Sequence, residues 1–286
     1  MQQRIFLQLC GIVLTVVVSL VIPVGSVAEV FTCQACRVSV FSPKMKAGIE
    51  MTVRRPVVVI SGVASGIGLA TACRFRSDGW HVIGLDVTVP EENVPCDEIV
   101  AANLATIEGI VLAEGALRNC EATAFVHSAG IMRADDDMAT GADAGARLWM
   151  LHVGAAARLS RALLPGMPEK RGRLVFLSSR AAQGRAGRGY YAASKSALDG
   201  LARSLAAEYV SRGITVNLVA PAATDTPQLQ SPERAGAQVR ALPIGRIIRP
   251  EEVAATIAFL ASTEAGAITG QTIYQCGGAS LAGVEA

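Results

Sequence analysis

From residue 57 to residue 274 the chain alternates short, mostly apolar runs with longer stretches of mixed polarity. The short runs fall at 57–60, 81–85, 99–102, 123–126, 173–177, 214–219 and 272–274. A strand wetted on one face alternates apolar with polar residues; near-continuous apolar runs of this length predict strands covered on both faces. The intervening segments at 68–77, 144–164, 191–211 and 251–261 read as helices. Strict strand–helix alternation predicts the α/β class, with one doubly wound parallel sheet of about seven strands and helices on both faces. No internal repeat or low-complexity linker interrupts it, so residues 52–286 are expected to form one domain.

Residues 1–51 break the pattern. From Ile5 to Val24 no charged residue occurs, a run long enough to span a bilayer as a helix. Three readings stay open. The run and the small residues Ser26, Val27 and Ala28 suit a cleaved export signal. As a membrane anchor, the run is followed by Arg37, Lys44, Lys46, Arg54 and Arg55, which outnumber Arg4 and would keep the domain in the cytoplasm. Alternatively, synthesis starts at Met51, shortly before the first predicted strand. Cys33 and Cys36 form a lone CxxC, to which we assign neither metal nor redox chemistry.

Composition narrows the function classes. Apolar residues make up 51% and charged residues 17% of the chain, which excludes a disordered protein. A net charge of +2 and 5% aromatics give neither the basic face nor the stacking platform expected of a nucleic-acid partner.

Candidate chemistry starts directly after the first strand, at Gly62-Val63-Ala64-Ser65-Gly66-Ile67-Gly68. Glycines between a strand and a helix let the backbone turn tightly and approach a pyrophosphate, which the free N–H groups of the helix start attract. That position gives the sheet a Rossmann type and makes Gly62, Ser65, Gly66, Ile67 and Gly68 candidate nucleotide-binding residues. At the end of the second strand stands Asp86. A carboxylate there would accept hydrogen bonds from a ribose and repel a 2′-phosphate, favouring NAD over NADP.

Tyr191 and Lys195 are four residues apart in a predicted helix and share a face. A phenol titrates near pH ~10 and works as a base only when its anion is stabilised, as by an ammonium group. Ser178 and Ser179 close the fifth strand, at the carboxyl edge where such sheets bind ligands. With these residues in view, the chain resembles the short-chain dehydrogenase/reductase family, most of all its 3-oxoacyl-carrier-protein reductase-like members. The resemblance extends to His127-Ser128-Ala129-Gly130, where the family has Asn-Asn-Ala-Gly, to Pro221-Ala222 leading to Thr226, and to Pro243-Ile244-Gly245-Arg246 with Pro250-Glu251-Glu252. It closes with Thr269-Gly270-Gln271 and Gly277-Gly278.

The resemblance implies an oxidoreductase that interconverts a secondary alcohol and a ketone with NAD(H). Tyr191 would be the acid/base, Lys195 would bind the nicotinamide ribose and lower the tyrosine pKa, and a serine would hold the substrate oxygen. Ser179 is expected in that last role, with Ser178 as the alternative. Ala129 and Gly130 would pack on the adenosine ribose, Asn103 and Leu104 near the adenine, and Pro221 and Thr226 beside the carboxamide or phosphates. His152 occupies the position of the family's fourth catalytic residue, an asparagine, and as a histidine it could relay protons itself. Two other functions remain open: an epimerase or dehydratase on the same fold, and a non-catalytic nucleotide-binding protein whose proton relay has decayed. A homo-dimer or homo-tetramer is implied, with Ala155, Ala156, Ala157, Ala206 and Ala207 allowing helices of two copies to approach. No metal is expected. The substrate class is open; Arg180, Arg185 and Arg188 could meet an anion or be solvated loop residues.

Overall fold

The computed structural model describes residues 54–89, 94–132, 142–230 and 241–281, and within 1–53 the backbones of four short strands. Residues 1–53 and 54–286 form two separate units. In the first, Leu7–Leu9 pairs antiparallel with Ile12–Leu14, and Ala28–Cys33 with Val38–Pro43. The described parts of the 5–24 run are therefore strands, and no described helix is long and apolar enough to cross a membrane. The rest of that run, with Ser26, Val27, Cys36 and Met51, lies outside the described residues.

In the second unit the predicted strands are present. They are β1 (Val57–Ser61), β2 (His81–Asp86), β3 (Glu98–Ala101), β4 (Ala124–His127), β5 (Arg173–Leu177), β6 (Thr215–Pro221) and β7 (Thr272–Gln275). All pair in parallel, in the spatial order 7-6-5-4-1-2-3. Chain direction away from β1 therefore reverses between β1 and β4, and the carboxyl ends of these strands diverge there into a crevice.

The apolar runs explain the layers. Successive side chains of a strand point to opposite faces. Val58 and Ile60 join one core with Phe75 of α1 (Gly66–Ser77) and with Val253, Ile257 and Leu260 of a later helix, Pro250–Ala261. Val59, with Phe125 and Phe176, faces the other core, filled by Ile110 of α2 (Ile107–Leu117) and by helices from the middle of the chain.

The long helix expected at 144–164 is divided. It runs as α3 (Ala142–Trp149), a single π-helical turn (Met150–Gly154) and α4 (Ala155–Leu163). Such a turn shifts hydrogen bonding from i−4 to i−5 and releases a backbone carbonyl, and it is often found at functional sites. The catalytic-helix candidate is α5 (Gly189–Tyr209), and Pro250–Ala261 is α6.

One expectation fails. Ala155, Ala156 and Ala206 are buried in the protein's own core, so they cannot line a contact between two copies; only Ala157 and Ala207 reach the surface. The helix spacing from sequence did not separate the inward from the outward small residues.

Candidate active site

The Gly turn joins β1 to α1 at the crevice, and its glycines are sterically required. Gly62 has φ +78°, and a Cβ on it would stand 2.8 Å from the Ala129 backbone. At Gly68 a Cβ would lie 1.8 Å from the Gly62 carbonyl oxygen, so the turn closes only without a side chain. Gly66 brings its backbone against Thr226, whose methyl group would be 3.1 Å from an added Cβ. The start of α1 thus faces an open cavity, with Thr226 on the opposite wall.

That cavity measures about 600 Å³. Gly62, Ser65, Gly66, Ile67 and Gly68 line one wall, and Asp86, Asn103, Leu104, Ala129, Gly130 and Thr226 contribute to the others. The Asp86 carboxylate accepts hydrogen bonds from the Ala64 N–H at 2.9 Å and the Thr88 N–H at 3.1 Å, which fixes it at the cavity rim. The Asn103 amide oxygen accepts from the Ala105 N–H at 3.1 Å, so in this structure that side chain braces its own turn. The residues around the crevice therefore fit an elongated dinucleotide: a helix start for the pyrophosphate and a carboxylate at one end.

A second cavity, about 500 Å³, shares Ile67, Gly130, Leu177 and Thr226 with the first and carries Ser179, Tyr191, Lys195 and Pro221. The two adjoin as one groove. Here the two serines separate. Ser178 is buried and donates to the Lys195 carbonyl at 2.9 Å, a structural bond inside α5. Ser179 lines the cavity with Tyr191, close enough to act on its phenol, and accepts from the Ala181 N–H at 3.1 Å. The serine expected at the reacting oxygen is the one beside the phenol.

Burial raises the Tyr191 pKa, while Ser179 and the positive charges of Arg188 and Arg185 oppose that rise. Lys195 does not act on the phenol here. Its ammonium donates to the Leu177 carbonyl at 2.8 Å, and complete burial pushes its pKa down to about 7. The expectation that this lysine lowers the tyrosine pKa is thus not met in this structure; the arginines and the serine exert that influence.

His152 and His127 complete the site from below. His152 is fully buried in the π turn, and its ring stands edge-on to Tyr191 with centroids 5.7 Å apart. Its Nε2 accepts the Ile131 N–H at 3.2 Å, so the ring proton sits on Nδ1, which donates to Ser194 Oγ at 2.9 Å. The Ser194 hydroxyl donates to the Tyr191 carbonyl at 2.9 Å. His127 is the opposite tautomer: Nε2–H donates to the Leu151 carbonyl at 3.0 Å, and Nδ1 accepts from Ser61 at 2.9 Å. Ser61 Oγ in turn accepts the Ala129 N–H at 3.2 Å. Burial and the nearby Lys195 charge hold both rings neutral, His127 with a pKa of about 3 and His152 well below the ordinary value.

These bonds bear on the relay expected of His152. Both its nitrogens are engaged and the ring does not reach the groove, so it orients α5 behind Tyr191 rather than meeting a ligand. Sequence reading passed over Ser61 and Ser194. Ser194 had one detectable signal: it stands on the Tyr191–Lys195 face, where an unpartnered hydroxyl would be costly if buried. Among the described residues, no group of three or more His, Cys, Asp or Glu could hold a metal ion.

Comparison with known proteins gives concordant results. The family model described as enoyl-(acyl carrier protein) reductase matches residues 62–280. A 3-oxoacyl-(acyl-carrier-protein) reductase of Vibrio cholerae is 33% identical over 240 residues, covering 80% of this chain and 98% of the relative. The ligand-free aldohexose dehydrogenase of Thermoplasma acidophilum superposes with a TM-score of 0.73 at 26% identity, over 82% of this chain and 97% of the other. A putative NAD(P)-dependent gluconate 5-dehydrogenase from Beutenbergia cavernae, solved with bound NADP, gives 0.71 at 30% identity, over 79% and 97%.

Proposed function

The chain belongs to the short-chain dehydrogenase/reductase family of oxidoreductases acting on hydroxyl and keto groups, and from that premise we propose that it interconverts a secondary alcohol and a ketone with NAD(H). The observation that carries the reading is the Tyr191 phenol set beside Ser179 in one cavity, which adjoins the Gly-lined one.

In the reduction direction Tyr191 donates its proton to the carbonyl oxygen, and in oxidation it takes the proton of the hydroxyl. Ser179 donates to the same oxygen while charge develops on it. The bound cofactor supplies or accepts the hydride. Gly62, Ser65, Gly66, Ile67 and Gly68 would hold its pyrophosphate, Ala129 and Gly130 its ribose, and Pro221 and Thr226 the nicotinamide end. Lys195 is within reach of the groove wall at Gly130, where an added Cβ would come within 3.3 Å of its ammonium. Turning toward a ribose would exchange the Leu177 bond for one to the ribose hydroxyls and bring a charge nearer the phenol.

The preference for NAD over NADP rests on Asp86, whose carboxylate lines the cavity near Leu85, Val87, Asn103 and Leu104; Arg147 of α3 lines the same cavity. The Beutenbergia protein binds NADP, so the preference belongs to this chain's own residue. We assign the domain to the cytoplasm and infer a homo-oligomer, testable by light scattering. The four described cysteines are free thiols, as in a reducing compartment. The deciding assay follows reduced-cofactor absorbance across a panel of secondary alcohols and ketones with NAD and NADP. Turnover with NAD is expected; turnover with neither cofactor would refute the reading.

A further inference from the structure

The substrate half of the groove has a one-sided charge. Its described lining includes Arg180, Arg185 and Lys195 but no aspartate or glutamate. Arg180 directly follows Ser179, and its Nη1 is anchored to the Ala279 carbonyl at 3.1 Å, leaving the remaining guanidinium N–H groups available at the wall. The Arg185 carbonyl accepts the Arg188 N–H at 3.2 Å, while its guanidinium lines the cavity with no hydrogen bond or ion pair to a described residue. Among the described residues, the charges acting on it are Arg188 and Arg180, both positive, and the Tyr191 phenol.

Elsewhere in the molecule an arginine at the surface is neutralised directly, as Arg246 is by Glu252 at 2.7 Å. Collecting like charges at one wall is unfavourable by Coulomb's law unless an anion joins them, and the guanidinium fork matches a carboxylate or phosphate in two parallel hydrogen bonds. We propose that the substrate is an acid: a hydroxy or keto compound whose carboxylate or phosphate, a few bonds from the reacting carbon, binds Arg180 and Arg185. The proposal rests on the oxidoreductase reading above and names its substrate class. Arg185 lies within electrostatic range of the phenol, so the acid group and the reacting oxygen belong to one small molecule.

The test compares acids with their neutral counterparts. Short 2-keto and 4-keto acids are assayed against their methyl esters, and keto phosphates against the corresponding keto alcohols, each with NADH. A kcat/KM ratio of about tenfold or more for acid over neutral partner is expected, because a charged hydrogen-bonded pair is worth that much. R185A should bring the ratio toward one and R185K should retain part of it; using the ratio cancels any effect of Arg185 on Tyr191. Whichever acid series responds identifies carboxylate or phosphate. Equal turnover of acids and neutral partners, a ratio indifferent to R185A, or a preference for a neutral thioester of the same chain length over the free acid would overturn the proposal while leaving the oxidoreductase reading standing. Malonate titrated into the unmodified protein separates the two ideas from the other side. Saturable binding that weakens in R185A, in a protein without cofactor turnover, would keep the anion site and sink the reaction; absence of malonate binding counts against the site.

Discussion

The two halves of the groove are built from different materials. The nucleotide half is shaped largely by backbone: Gly62 and Gly68 are closed so tightly that a Cβ would strike Ala129 or the Gly62 carbonyl, and Asp86 stands at the rim. The reacting half is made of long side chains, Tyr191, Lys195, Arg180 and Arg185, held from beneath by buried histidines. A backbone wall has a shape set by steric exclusion and tolerates no substitution. A wall of side chains has chemistry set by charge and hydrogen bonds, which can be changed one group at a time. The first suits a ligand common to many proteins, the second a substrate particular to one.

That contrast predicts where single changes are ruinous and where they tune. Gly68→Ala is expected to have the largest effect. Its Cβ would meet backbone at 1.8 Å, so β1 and α1 must separate. NADH binding, followed by fluorescence, should weaken by about tenfold or more, with a lower melting temperature. Retained affinity would show that the backbone wall is softer than its geometry.

Asp86→Asn is a milder probe of the same half. The amide oxygen can still accept the Ala64 or Thr88 N–H, but the charge is gone. The ratio of kcat/KM for NAD over NADP should fall by about tenfold. A wild-type ratio that favours NADP from the start would remove the role given to Asp86.

The smallest expected effect concerns the histidines. His127 has a folded pKa of about 3 against an ordinary value of 6.5, so between these limits the unfolded chain binds a proton that the folded one refuses. Stability should therefore fall as pH drops from 6.5 toward about 3, and the shift at His152 acts in the same direction. In His127→Asn the melting temperature should decline less between neutral pH and about pH 4 than in the wild type. An equal decline in both proteins would mean that His127 is not the acid-sensitive group.

How far the sequence revealed these halves follows the same division. The sheet was legible because most of its strands are short apolar runs, and the Gly turn because its place between β1 and α1 is what its mechanism demands. The π turn was not, since the 144–164 segment keeps apolar residues at helical spacing across it. Nor could the sequence reveal that His152 spends both ring nitrogens on Ile131 and Ser194, because those partners lie 21 and 42 residues away. The choice between Ser178 and Ser179 likewise needed three dimensions: adjacent residues at a strand end point to opposite sides, and only one side holds the phenol.

The central claim is that Tyr191 moves the proton at a site otherwise shaped by the two walls. Tyr191→Phe removes the hydroxyl and leaves the ring that packs against His152. Measured side by side with the wild type, the variant should lose about a hundredfold or more in kcat while binding NADH within a few-fold. Turnover close to the wild type, with NADH binding intact, would contradict the account.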